Sequence, residues 1–299
     1  MKQVILLHNP KAGDEDLLKG ELIRTIEKEG YISLYYSIKK DSWRVQIDNA
    51  DITAVAGGDG TVRTLAKELV KRNVLDKKIP IALMPTGTAN NLSKTLGIDA
   101  ESDDITSYVQ RWRNADFRKF DVGVVKNTDV TDFFLESVGF GVFPKLIKKM
   151  GKVDKSGVET KQDEIKLALK VLHELVATYP VEKYKLILDN KVMELNCLML
   201  EVMNIKSIGP NLLLAKDAQT DDCLFDVIYI EEADREAFAA SIQSMINDGE
   251  FSFKPKTISV KQIEIISNSQ YMHIDDELTI PMKNPIFVEI RENVLQFLV

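Results

Sequence analysis

Gly57-Gly58-Asp59-Gly60-Thr61, directly after the apolar run Ile52-Thr53-Ala54-Val55-Ala56, constrains this chain more than any other stretch. A buried strand that ends in nearly bare backbone can turn sharply and aim several N–H groups at one anion. The spacing of Val62, Leu65, Ala66, Leu69 and Val70 predicts that a helix starts there, with Thr61 as its cap. Asp59 is the odd member. A carboxylate among phosphate-binding amides repels the ligand unless a magnesium ion lies between them, so the loop points to a metal–nucleotide complex. The plainer alternative for Asp59 is a turn cap, a common place for aspartate beside glycine.

Two further strands end the same way. Ile79-Pro80-Ile81-Ala82-Leu83-Met84 runs into Pro85-Thr86-Gly87-Thr88-Ala89-Asn90-Asn91-Leu92, and Val4-Ile5-Leu6-Leu7 runs into His8-Asn9-Pro10-Lys11-Ala12-Gly13. In an open parallel sheet the ligand crevice lies beyond the carboxyl ends of the strands, so the three loops are expected to converge on one nucleotide. Thr88 and Asn90 then close the site, serve as caps of a helix over 89–96, or do both.

With these turns the chain resembles the catalytic region shared by diacylglycerol kinases, sphingosine and ceramide kinases and related bacterial lipid kinases. The resemblance rests on the NPxxG turn (Asn9 to Gly13), the GGDGT loop (Gly57 to Thr61) and the PxGTxN turn (Pro85, Gly87, Thr88, Asn90). It continues through Ser137-Val138-Gly139-Phe140-Gly141, through Ala215 to Asp226 and through Ile274-Asp275-Asp276-Glu277, which is nearly the whole chain. NAD kinases also carry GGDGT; the PTGTANN turn at this spacing favours the lipid kinases.

The resemblance implies ATP and Mg²⁺ as cofactors and a lipid alcohol as substrate. It implies ATP contacts from Asn9 and Lys11, from Gly57, Gly58, Asp59, Gly60, Thr61 and Thr64, and from Thr86, Gly87, Thr88 and Asn90, with Asp59 ordering the metal–ATP complex. Glu277 corresponds to the general base of an aspartate–glycine–glutamate turn. Asp222, with the main-chain oxygens of Gln219 and Leu224, corresponds to a magnesium-binding loop; an ordinary acidic hairpin is the alternative. The sequence departs from the family pattern at Thr64 (usually glutamate), Ala215 (usually proline), Cys223 (usually glycine) and Asp276 (usually glycine), where aspartate is expected to tolerate a left-handed backbone.

Strands and helices alternate up to about residue 125: strands 3–8, 32–36, 52–56 and 79–84, helices 15–29, 42–49, 61–73, 89–96 and 103–112. Beyond Asp121 strands follow one another over 183–188, 192–202, 224–230, 257–266 and 285–290, with helices at 161–179 and 234–247. The expected fold is therefore α/β plus all-β: a Rossmann-like parallel-sheet nucleotide-binding domain over 1–125, rejoined by 286–299, and an antiparallel β-sandwich lipid-binding domain over 126–285. The reaction is expected in the groove between them.

Within 143–155, Phe143, Leu146, Ile147, Met150 and Val153 share one helical face and Lys145, Lys148, Lys149, Lys152 and Lys155 the other. That pattern suits either a membrane-surface helix or a solvated lysine face over a core stripe. The run Asn211 to Leu214 lines a pocket or forms a core strand. No apolar run reaches the roughly 18 residues of a membrane span, so the expected location is cytoplasmic and peripherally membrane-associated. A net charge of −7 argues against nucleic acid as partner. Cys197 and Cys223 read as reduced thiols, and His8, His173 and His273 as packing or surface residues, with His273 two positions ahead of Asp275. A homodimer stays open. The competing functions are an NAD kinase-like enzyme and a nucleotide- or lipid-binding protein with little kinase activity.

Overall fold

A computed structural model describes residues 1–10, 15–73, 76–98, 104–129 and 132–299, with the backbone alone for 15–17. The chain divides into two compact units, Met1–Phe120 with Asn293–Val299, and Asp121–Glu292.

In the first unit β1 (Gln3–His8), α1 (Glu15–Lys28), β2 (Ile32–Ser37), β3 (Ile52–Gly57), α2 (Asp59–Leu69), β4 (Ile81–Pro85), α3 (Asn91–Thr95) and α4 (Ile105–Arg111) follow one another, with a 3-10 segment at Asp41–Asn49. The strands pair in parallel in the order β4-β3-β1-β2. Parallel strands are covered on both faces, which is why β3 is buried at every position and reads as an unbroken apolar run. Helix α2 turns Val62, Leu65, Ala66 and Leu69 inward and leaves Lys67 exposed. The returning segment docks Phe297 opposite Ile81, and its ring meets Phe120 edge-on at 5.2 Å.

The second unit continues β5 (Phe117–Lys126) with β6 (Asp132–Phe134), β7 (Ser137–Gly141), α5 (Val142–Met150), α6 (Lys161–Thr178), β8 (Glu182–Leu188), β9 (Lys191–Met203), the short β10 (Ser207–Ile208) and β11 (Leu212–Leu213), β12 (Phe225–Glu231), α7 (Arg235–Ile246), β13 (Lys256–Val260), β14 (Gln262–Ser267), β15 (Met272–Ile274), β16 (Glu277–Thr279) and β17 (Ile286–Leu298). Pairing is antiparallel around β9: β8 takes its first half, Lys191–Cys197, and β7 and β12 flank its second half from opposite edges. On β12 the side chains alternate: Phe225, Val227 and Tyr229 face a core enclosed by strands, while Ile228 and Ile230 face a second core under α5, α6 and α7. This is an antiparallel sandwich with a helical layer on one face.

Three expectations need correction. The strand read as 257–266 is two strands, β13 on β12 and β14 on β8, because the chain changes partner at Lys261, where the Asp189 carboxylate accepts the N–H groups of Lys261 and Gln262 at 3.0–3.2 Å. The strand read as 285–290 and the segment 294–298 are one strand, β17. The lysine helix stops at Met150, and its apolar side is already covered: Phe143 and Leu146 are buried in the helical core, with Ile147, Met150 and Val153 packed against it. Leu212 and Leu214 belong to that same core, so the 211–214 run is a core element. Among the described residues no helix is long and apolar enough to cross a membrane.

Candidate functional site

Strands β1, β3 and β4 deliver their carboxyl ends side by side, and main-chain bonds zip the loops that follow. Asn9 N–H donates to Ala56 O at 3.0 Å, and Thr86 N–H donates to Gly57 O at 3.1 Å. Asn9 Nδ2 reaches the Thr61 hydroxyl at 3.4 Å, so Asn9 touches the GGDGT loop directly. Lys11 lies outside the described residues. The helix after the glycines starts at Asp59 with Gly58 as its N-cap, two residues earlier than the sequence pattern suggests. Thr61 sits in the first turn, buried, and caps nothing. Thr64 is one turn on, its hydroxyl donating back to Gly60 O at 2.9 Å, an ordinary helical contact.

The two glycine loops lie face to face. A Cβ built on Gly87 would stand 2.4 Å from the Gly58 Cα, and one built on Gly58 would stand 3.0 Å from the Gly87 Cα. Only glycine at both positions permits this approach. A Cβ on Gly57 would likewise meet the Thr61 hydroxyl at 2.4 Å, whereas one on Gly60 would meet nothing within 4 Å. Asp59 locks the arrangement: its carboxylate accepts the N–H of Asn91 at 2.9 Å and of Leu92 at 3.2 Å, capping α3 from the neighbouring loop. Asn90, at φ +53°, is the N-cap residue of α3 by position, yet its side chain makes no cap bond. Its Nδ2 donates to Gly87 O at 3.0 Å, and its Oδ1 is buried with no hydrogen-bond partner among the described residues. A buried, unsatisfied acceptor oxygen beside a glycine cradle suits a ligand that brings a cation or a donor.

In the second unit Glu277 opens β16 and is exposed. The two residues before it form the hairpin turn, and Asp275 rather than Asp276 takes the positive φ, +50°. Asp275 is buried, and its carboxylate gathers the N–H groups of Leu135, Glu136 and Ser137 at 2.8–3.3 Å. Three charge-assisted bonds of this kind anchor the turn. Asp276 is exposed, so its side chain costs the turn no packing.

The loop at 219–224 closes on itself and on Asp121. Asp222 Oδ1 accepts Leu224 N–H at 3.0 Å, Cys223 N–H donates to the Asp121 carboxylate at 2.9 Å, and Gln219 Nε2 donates to Asp217 O at 3.3 Å. Cys223 holds φ +61°, a conformation glycine takes without strain. Partial desolvation, with Asp226 and Asp121 as like-charged neighbours, pushes the Asp222 carboxyl above its ordinary value. Excess negative charge on an all-oxygen donor set is chemistry that a hard cation relieves. Among the described residues no cluster of three or more His, Cys, Asp or Glu side chains is arranged to hold a metal, so any such ion would lean on main-chain oxygens.

Residues 3–125 match the diacylglycerol kinase catalytic domain model, and residues 151–299 match the YegS C-terminal NAD kinase beta sandwich-like domain. Residues 3–125 belong to the diacylglycerol kinase catalytic-domain family. The chain is 24% identical over 288 residues to the diacylglycerol kinase of Bacillus subtilis, covering 93% of this chain and 90% of that one. It is 25% identical to the diacylglycerol kinase of Staphylococcus aureus, covering 92% and 86%. Its fold matches a diacylglycerol kinase from Bacillus anthracis at TM-score 0.71 and 19% identity, over 99% of this chain and 96% of that one. An NAD kinase from Archaeoglobus fulgidus, solved in complex with ATP, shares the fold at TM-score 0.55 and 14% identity, over 99% and 93%. Membership of this kinase family, with a parallel α/β unit and an antiparallel sandwich, is what the sequence had led us to expect.

Residue-by-residue reading missed two features. The amides of Asn91 and Leu92 hold Asp59, a contact across 32 and 33 residues with no local signature. Glu201 is fully buried on β9 and bonded to His273; a lone glutamate inside the apolar run Leu198 to Met203 was the available signal.

Proposed function

We propose that the protein is an ATP- and Mg²⁺-dependent kinase that transfers the γ-phosphoryl group to the hydroxyl of a diacylglycerol-like lipid. The observation that carries this reading is the face-to-face contact of Gly58 and Gly87, with the unpartnered Asn90 Oδ1 beside it, in a chain of this family. Backbone amides of the GGDGT and PTGTAN loops bind and orient the triphosphate, while Asn9, Thr61 and Asp59 keep the loops at the required separation. Bound Mg²⁺ offsets charge on the phosphate oxygens. Gln219, Asp222 and Leu224 are the residues assigned to a second, structural cation. Glu277 takes the proton of the lipid hydroxyl as the new O–P bond forms; the bond from the γ-phosphorus to the β–γ bridging oxygen breaks, and ADP leaves.

Peripheral membrane contact, in this reading, is electrostatic. The apolar side of α5 is spent on the core, so only its lysines face outward, and Lys145 and Lys148 line a cleft of about 390 Å³ with Lys183, Tyr179 and Tyr271. Some of this charge is internally balanced: Lys149 pairs with Glu174 at 3.1 Å and Lys155 with Glu164 at 2.6 Å.

The test is a labelled-ATP assay over a panel of lipid alcohols in mixed micelles, with mass analysis of the product. A phosphorylated lipid supports the reading. ATP binding with no phosphorylated lipid would favour the binding-protein alternative.

A further inference from the structure

The Ser137–Gly141 strand resembles the family, yet nothing above uses its central glycine. In register, Gly139 of β7 stands opposite Glu201 of β9 on one side and opposite His273 of β15 on the other. A Cβ on Gly139 would lie 2.2 Å from Glu201 Oε2, so the missing side chain is what lets Glu201 reach across β7. It meets His273 Nε2 at 2.8 and 3.0 Å through its two oxygens. His273 Nδ1 lies 2.7 Å from the carbonyl oxygen of Asp275; a carbonyl only accepts, so Nδ1 carries a proton and donates. Both ring nitrogens are thereby committed, and the Phe143 ring packs against the imidazole at 4.9 Å.

Glu201 and His273 are both fully buried. A buried ion pair adds little stability beyond what apolar residues of similar size give, so stability is a weak reason to place one here. The pair does fix one thing, the orientation of the Asp275 peptide at the first position of the turn that leads into Glu277. The Asp275 carboxylate holds the same turn from its other side through Leu135, Glu136 and Ser137.

We propose that His273, steadied by Glu201 across the gap left by Gly139, is a positioning residue that clamps the Asp275 carbonyl and so aims Glu277 at the acceptor hydroxyl. The proposal rests on the assignment of Glu277 as the base.

The test uses two amides that imitate the two imidazole nitrogens separately. In His273→Asn the amide nitrogen falls near the Nδ1 position and keeps the bond to Asp275; in His273→Gln it falls near Nε2 and keeps only the bond to Glu201. A clamp on the turn predicts that His273→Asn keeps kcat within about threefold of the parent. It predicts that His273→Gln loses about tenfold or more in kcat with KM for ATP unchanged, the scale of a sub-ångström misplacement of a reacting group. A role in packing alone predicts the reverse order or equal loss, and either result overturns the proposal. Gly139→Ala, which displaces Glu201, should behave like His273→Gln, whereas Glu201→Gln, whose amide still donates to the imidazole, should stay close to the parent. Hydrogen exchange of residues 275–279, followed by mass spectrometry without substrate, reads the turn itself: it should quicken in His273→Gln and not in His273→Asn. Faster exchange with unchanged kcat also overturns the proposal. If Glu277→Gln is as active as the parent, or the parent phosphorylates no lipid, the functional reading fails, while the exchange experiment still decides the clamp.

Discussion

Replacing Gly87 by alanine tests the nucleotide cradle most sharply, because the structure fixes what the added methyl group meets. Its Cβ would lie 2.4 Å from the Gly58 Cα and 2.7 Å from Asn90 Oδ1. Carbon atoms pack best at about 3.5–4.0 Å, so the two loops must part by about 1 Å. Gly87 has no positive φ, so backbone strain plays no part in the cost. Overpacking of this kind costs about 1–3 kcal/mol. Both tryptophans of the chain, Trp43 and Trp112, are buried in the first unit, so their fluorescence follows that unit alone through a urea titration. At about 1–3 kcal/mol per molar urea, the midpoint should fall by roughly 0.3–3 M. ATP affinity should fall with it, since the amides of both loops move. Gly60→Ala is the internal control: its Cβ meets nothing within 4 Å, and Gly60 is exposed in the first turn of α2. That change should leave stability unaltered or raise it by up to about 1 kcal/mol. A Gly87→Ala protein with the parent's urea midpoint and ATP affinity refutes the face-to-face cradle.

Four further outcomes are expected. Asp59→Asn leaves one of the Asn91 and Leu92 amides facing an NH₂ group, so it should cost about 1–3 kcal/mol of stability and lower turnover together; a variant that loses neither contradicts the assigned role. Glu277→Gln should lower kcat by about a hundred- to ten-thousand-fold at constant ATP affinity, and a loss of ATP affinity instead would move Glu277 to the nucleotide site. Because the Asp222 carboxyl is raised in the folded chain, stability is lost as pH rises from the ordinary carboxyl value through the folded one and stays lost above it, so Mg²⁺ at neutral pH should raise Tm, and Asp222→Asn should abolish that gain; equal gains in both proteins would remove Asp222 from the cation site. Changing Lys145, Lys148, Lys149 and Lys152 to glutamine should reduce sedimentation with phosphatidylglycerol vesicles at low salt, at about 1 kcal/mol per lysine near the surface, and undiminished binding would leave these lysines as a solvated face.

Much of the fold was legible because parallel strands buried on both faces must be apolar throughout and must end where glycine lets the chain turn. Gly57 to Thr61 after Ile52 to Ala56 satisfies both conditions at once. What stayed hidden depends on partners distant in sequence. The apolar alternation slips by one residue at Lys261 and Gln262, from Ile258 and Val260 to Ile263 and Ile265, but only the pairing shows that β13 and β14 join different strands. The lysine helix showed two faces, but only tertiary packing says that Phe143 and Leu146 are buried by α6 and its neighbours rather than by lipid. A left-handed backbone was expected at Asp276, yet the turn puts its positive φ one residue earlier, at Asp275, where three backbone amides stabilise the carboxylate. Glu201 and His273 sit 72 residues apart, joined only by strand register across Gly139.

Under the proposed function ATP phosphorylates a lipid hydroxyl in a fold shared with an NAD kinase. The most direct measurement offers both acceptors in one tube: γ-labelled ATP, Mg²⁺, diacylglycerol in mixed micelles and NAD, with the label followed into each product by chromatography and mass spectrometry. A lipid kinase puts label in phosphatidic acid, and none with Glu277→Gln; label in NADP with none in lipid would contradict that function.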